Sequence, residues 1–234
     1  MARFQLTGAD PQGLLDLVDW RRRVGDLYRI DGGRTRGGRI QSSRARAGRI
    51  QSSDAIDQFR HGRDELFRSH PQSPIEPDER ASFAGLHYFP PDPEYRVEAR
   101  FEPGDGSELL IDTGGEDGAV RYRRGGRLAF RLHGAACRLT VLSLVQYAGG
   151  LFVPFRDATS GRETYGGGRY LFDTAKDTDG LVLEITPGSG DITIDFNYAY
   201  NASCAYSPMW ACPLAPPENF LTVPVRAGEV TYKS

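Results

Sequence analysis

Arg127-Leu128-Ala129-Phe130-Arg131-Leu132 puts Leu128, Phe130 and Leu132 on one side of an extended chain and Arg127, Ala129 and Arg131 on the other. Successive side chains of a strand point to opposite faces, so this alternation reads as a half-buried β-strand. The reading extends both ways. Segments 96–102, 108–113, 119–124, 127–133 and 137–147 read as strands, followed by 151–155, 169–172, 181–186, 191–197, 220–225 and 229–232. Gly125-Gly126 between two of them is a two-residue hairpin signal, and 112–118 is a turn cluster of the same sort. Many short strands without helical patterns between them predict a mainly β fold, an antiparallel β-sandwich or barrel of about ten short strands.

Two α-helices are expected ahead of it. Asp10-Pro11 supplies an N-cap and a first-turn proline, and Leu14, Leu15, Val18, Val24, Leu27 and Tyr28 recur at helical spacing to about Ile30. A second helix runs from Asp54 through Ile56, Phe59, Leu66 and Phe67 to Ser69, where His70-Pro71 stops it. Between them Gly38-Arg39-Ile40-Gln41-Ser42-Ser43 recurs as Gly48-Arg49-Ile50-Gln51-Ser52-Ser53. Two short polar copies do not make a solenoid, and residues 31–53 read as a flexible Gly/Arg/Ser linker. The expected organisation is an N-terminal helix over 1–30, this linker, and one unit over 54–234.

Composition sets limits on function. The 234 residues are 39% hydrophobic and 26% charged, and the longest apolar stretch, 139–147, is interrupted by Thr140, Ser143 and Gln146. No membrane span of roughly 20 apolar residues is present. The N-terminus has no apolar signal core, and three cysteines (Cys137, Cys204 and Cys212) do not build a disulfide framework, so a cytoplasmic protein is expected. Residues 21–53 carry ten arginines against Asp26 and Asp31, leaving −10 on the rest of a chain whose net charge is −2. Nucleic acid is therefore not expected to bind outside the basic linker at 32–52.

The stretch 151–229 has a signature of its own. It contains Phe155-Arg156-Asp157-Ala158-Thr159-Ser160-Gly161, Thr164-Tyr165, Gly168-Arg169-Tyr170-Leu171 and Asp195-Phe196-Asn197. Ala199-Tyr200-Asn201, Cys204-Ala205-Tyr206, Cys212-Pro213, Pro216, Asn219 and Ala227-Gly228-Glu229 follow. Upstream stand Arg63-Asp64-Glu65-Leu66-Phe67, His70-Pro71-Gln72-Ser73-Pro74, Phe83, Gly85-Leu86 and Tyr88-Phe89-Pro90. This succession resembles a bacterial and archaeal family known as domain of unknown function 1684, from about residue 54 onward. Ala202 departs from the family's usual proline and Phe220 from its common arginine, and the basic insertion lies outside its pattern. The resemblance implies no particular activity.

The residues themselves leave two readings open. Arginine offers a planar fork of donors suited to carboxylate or phosphate, so Arg156 and Arg169, with Gly166-Gly167-Gly168, could recognise an anion. With Asp157, Thr159, Thr164, Tyr165, Asp195, Asn197, Tyr200 and Asn201 they would line one polar pocket of a small-molecule binding module or small enzyme. Strand alternation puts Asp195 and Asn197 on one face, and Asp195 is the best candidate for a general base. Equally, the same side chains could form a network that locks loops together, in a protein that works through its surface as an interaction partner. Cys204, Cys212 and His70 form a weak alternative metal set, because their spacing fits no zinc motif. No phosphate-binding GxxxxGK[ST] loop, HExxH or GxSxG motif is present, and no cofactor or oligomeric state follows.

Overall fold

The computed structural model describes residues 11–29, 53–115, 118–145, 149–186 and 191–233. The repeat-bearing linker at 32–52 lies outside them. Both helices form: α1 spans Pro11–Leu27 and α2 spans Ser53–Ser69. Ile56, Phe59, Leu66 and Phe67 turn one stripe of α2 into the interior, and Val24 and Tyr28 anchor the end of α1. Tyr28 meets Phe59 edge-on, and Phe59 meets Tyr198, in the turn that follows the strand Asp191–Asp195, in the same way. Helix docking is thus an aromatic relay onto the β layer.

Ten strands follow: β1 (Arg96–Pro103), β2 (Glu108–Asp112), β3 (Ala119–Leu132), β4 (Ala135–Leu144), β5 (Leu151–Asp157), β6 (Arg169–Asp173), β7 (Leu183–Ile185), β8 (Asp191–Asp195), β9 (Tyr200–Asn201) and β10 (Phe220–Leu221). They form one sheet in the order β7-β8-β1-β3-β4-β5-β6-β9, with β2 beside β3 and β10 beside β5. The sheet curls into a half-barrel, so the fold is mainly β with two helices in front, as expected. Its pairs are antiparallel except β10 on β5, which is parallel. Leu128, Phe130 and Leu132 of β3 and Leu139 and Val141 of β4 point into the core with Phe155, Phe172 and Phe196.

Four local expectations are corrected. Gly125-Gly126 is not a hairpin. β3 runs straight through it with a bulge between Arg124 and Gly126, and its ladder to β4 continues on both sides. A Cβ on Gly126 would come within 2.1 Å of the Phe101 ring, so the glycine serves close strand approach. The two-residue hairpin is His133-Gly134, with φ of 48° and 80°, the left-handed pair that such a turn requires. β8 ends at Asp195, and Phe196–Tyr198 is a 3₁₀ turn instead of continuing strand. Of 220–225 only Phe220–Leu221 pairs, and 229–232 contributes only an isolated bridge from Glu229 to Tyr88.

Candidate functional site

Asp157 ends β5 and Arg169 begins β6, and both side chains are 1% exposed. Arg169 Nη2 donates to Asp157 Oδ2 at 2.9 Å and to the Val225 carbonyl at 2.7 Å. Its Nη1 donates to the carbonyls of Ala227 and Glu229. Asp157 Oδ1 accepts from the Thr159 amide at 2.8 Å, the Thr159 hydroxyl at 2.6 Å and the Val225 amide at 3.1 Å. Thr159 and Thr164 hydroxyls lie 2.9 Å apart. The guanidinium therefore grips one segment, residues 225–229. Burial pulls the Arg169 pKa below its ordinary value, and the Asp157 carboxylate works against that fall.

A second buried ion pair grips the same segment from the other side. Glu229 Oε1 accepts from Arg63 of α2, and Oε2 accepts from the Asn201 amide at 2.9 Å and from the Tyr206 hydroxyl. Asn201 Nδ2 donates to the Val230 carbonyl at 2.8 Å. The Arg63 guanidinium also lies over the rings of Phe67 at 4.9 Å and Tyr200 at 5.4 Å. Burial opposes the charge on Arg63, but Glu229 together with Tyr88, Tyr28 and Tyr206 outweighs it and holds the pKa well above the usual arginine value. Arg63 and Glu229 were absent from the candidate residues read from sequence. Arg63 had a legible signal: at position 63 it falls on the buried stripe of α2 with Phe59, Leu66 and Phe67, where a charge demands a partner.

Asp195 and Asn197 belong to a separate knot. Asp195 caps the 3₁₀ turn, its Oδ1 accepting from the Asn197 amide and from Asn197 Nδ2, each at 2.9 Å. Asn197 in turn bonds both backbone groups of Asp92. Both residues are buried, whereas strand alternation had opposed them to Phe196; the strand ends before the alternation can apply. Burial pushes the Asp195 carboxyl up, against the pull of its bonds from Asn197. The Tyr200 hydroxyl lies 3.0 Å from that of Thr178.

The expected residues therefore fall into distinct surroundings. Asp157, Thr159, Thr164, Arg169 and Asn201 share one buried network around 225–230. Tyr200 packs against Arg63 beside it, Asp195 and Asn197 lie in their own knot, and Tyr165 reaches Cys204 at 3.5 Å. Arg156 points to solvent and has no ion pair among the described residues. His70, the third member of the alternative metal set, is held by Asp19 at 3.2 Å and the Gln72 amide. No group of three or more His, Cys, Asp or Glu side chains arranged for a metal occurs among the described residues. A groove of 330 Å³ opens between α1 and α2, lined by Arg23, Asp26, Leu27, Gly62, Glu65, Leu66 and Ser69, and includes none of the expected residues.

With this geometry in hand, the comparisons with known proteins assign the chain. The family model described as "Protein of unknown function (DUF1684)" matches residues 81–230. The chain belongs to the DUF1684 family. The matched region holds β1 to β10 and both halves of the clamp except Arg63. The DUF1684 chain is also similar to the solution NMR structure of an uncharacterized protein of Haloarcula marismortui, with 40% identity, a TM-score of 0.54, and coverage of 76% of this chain and 93% of that one. No curated protein matches. No helix among the described residues is long and apolar enough to cross a membrane.

Proposed function

We propose that this DUF1684 chain acts through its surface as an interaction or assembly partner, with the polar residues of 157–229 serving as an internal clamp. One observation carries the reading: the Asp157–Arg169 pair is almost fully excluded from solvent, and both terminal nitrogens of Arg169 are spent on Asp157 and on the backbone carbonyls of Val225, Ala227 and Glu229, leaving only the buried Nε without a partner among the described residues. A ligand-recognising arginine would keep part of its fork free for the ligand. The test is a thermal-shift screen of metabolites against wild type and Arg169→Met. The clamp reading expects a large fall in melting temperature in the variant and no ligand-dependent stabilisation of wild type that the variant loses. A metabolite that stabilises wild type, and whose effect disappears in a variant still folded by circular dichroism, overturns it.

A second reading, a small-molecule module for an anionic metabolite, draws support from Arg156. Its guanidinium is exposed and stands beside the glycine run, with its Cγ 2.8 Å from where a Cβ on Gly168 would lie. Arg156→Ala separates the two readings. Under the anion reading the melting temperature stays, and stabilisation by carboxylate or phosphate compounds is lost. Under the clamp reading neither changes.

A further inference from the structure

Arg169 and Asn201 stand directly opposite each other where β6 pairs with β9. Residues opposed in an antiparallel ladder send their side chains to one face, with Cβ atoms about 4.5–5.5 Å apart. Both head groups then reach the same strap of backbone. Arg169 Nη1 donates to the Glu229 carbonyl at 3.1 Å, and Asn201 Nδ2 donates to the Val230 carbonyl at 2.8 Å. The strap lies flush against the chain entering β9. The Glu229 amide donates to the Ala199 carbonyl at 2.9 Å, and a Cβ on Gly228 would come within 2.4 Å of that carbonyl oxygen. Arg169 is 1% exposed and Asn201 3%, so the strap shuts both away from solvent.

Each side chain keeps one polar atom outside these bonds. Both terminal nitrogens of Arg169 are committed to Asp157, Val225, Ala227 and Glu229, so the guanidinium cannot turn its Nε to any of those acceptors without giving up a bond. The Val230 carbonyl needs a donor, which fixes Nδ2 on that side of Asn201 and turns Oδ1 away from it. Nε and Oδ1 are both buried with no hydrogen-bond partner among the described residues. The first is a donor only and the second an acceptor only, and leaving either unmet in the interior is costly. A group that meets both must accept from Nε and donate to Oδ1. A deprotonated anion has no proton for Oδ1, and a cation has no lone pair for Nε and is repelled by the guanidinium. A neutral hydroxylic molecule does both, and burial of the site admits only the smallest. We infer that one internal water molecule binds between Arg169 Nε and Asn201 Oδ1. It completes a line from Asp157 through Arg169, water, Asn201 and Glu229 to Arg63, so the two buried ion pairs form one network. The water leaves only when the strap opens. The site stands whether or not the chain works through its surface.

The test begins with the wild-type full chain, labelled with nitrogen-15. In rotating-frame Overhauser spectra the Arg169 Nε proton should show a water cross-peak with the sign of dipolar contact. A crystal structure should place a water oxygen about 2.7–3.2 Å from both Nε and Oδ1. Oxygen-17 relaxation dispersion of the solvent counts the waters held longer than the protein tumbles. Asn201→Leu removes the accepting oxygen at similar volume and should lower that count by one. A crystal structure in which Nε bonds Oδ1 or another protein atom directly overturns the inference, as does an Arg169 peak with the sign of proton exchange alone. An unchanged water count in a folded Asn201→Leu variant does so too. The spectra and the crystal structure use the native chain, so they decide even if that variant fails to fold.

Discussion

Arg169 is a cation with almost no water around it, and the consequences of removing it follow from that. Taking one partner from a buried ion pair leaves the other charge uncompensated, a loss of about 3–5 kcal/mol. Arg169→Met should lower the unfolding free energy by that order, read from the shift of the urea midpoint at unchanged m. Adding Asp157→Leu should recover little, because Asp157 also accepts from Thr159 and Val225 and those donors would lose their acceptor. A double-mutant cycle measures this, and near-complete recovery would show the pair to be isolated. Asp195 makes a pH prediction. Burial raises its pKa in the folded state above the ordinary aspartate value. Between the unfolded and folded values the native protein binds the extra proton, so stability falls as pH rises through that window and the cost is complete above it. Asp195→Asn keeps a capping oxygen without the charge. It should gain on wild type above the window and converge below the unfolded value, as thermal melts across acid pH would show. These roles were only half legible from sequence. The polar residue types and glycine-rich turns marked Asp157, Arg169 and Asn201 as unusual, but the partner that gives them meaning is a stretch of backbone, and backbone carbonyls leave no trace in residue type.

Elements were read more surely where periodicity ran long. The apolar stripe of α2 and the alternation within β3 span many residues, and each forms where expected. Gly125-Gly126 misled because a hairpin and a bulge both call for glycine, and only the position of the neighbouring β1 decides between them. Gly126→Ala should cost about 1–3 kcal/mol through collision with Phe101 and the Glu102 carbonyl, measurable by chemical denaturation. A similar gap explains Asn219. β4 and β5 pair only at Leu142–Phe152 and Ser143–Leu151 before they diverge. There the fully buried Asn219 accepts from the Thr140 amide and donates to the carbonyls of Thr140 and Pro154. It does the work of a missing strand residue. Asn219→Ala strands those groups without partners and should cost on the order of 3 kcal/mol, with faster amide exchange at Thr140. Unchanged exchange there would mean that the strands close without it.

Over the whole molecule, the two ion pairs hold residues 225–229 between β5, β6 and α2, so a short irregular segment staples the helical layer to the sheet. Replacing Glu229 by Gln should loosen α2 along with that segment, seen as matched loss of exchange protection in both. Loss confined to the segment would mean that the helices dock through Tyr28 and Phe59 alone. The arrangement also dictates an order of events during synthesis. Arg63 emerges from the ribosome 166 residues before Glu229 does, and Arg169 emerges 56 residues before Val225. Until those late residues arrive, Arg63 has no carboxylate to neutralise it, and Arg169, with Asp157 already made, still lacks the carbonyls that take up its other donors. The nascent chain must keep Arg63 in water, and the helical layer is locked to the sheet only after residues 225–229 have been made.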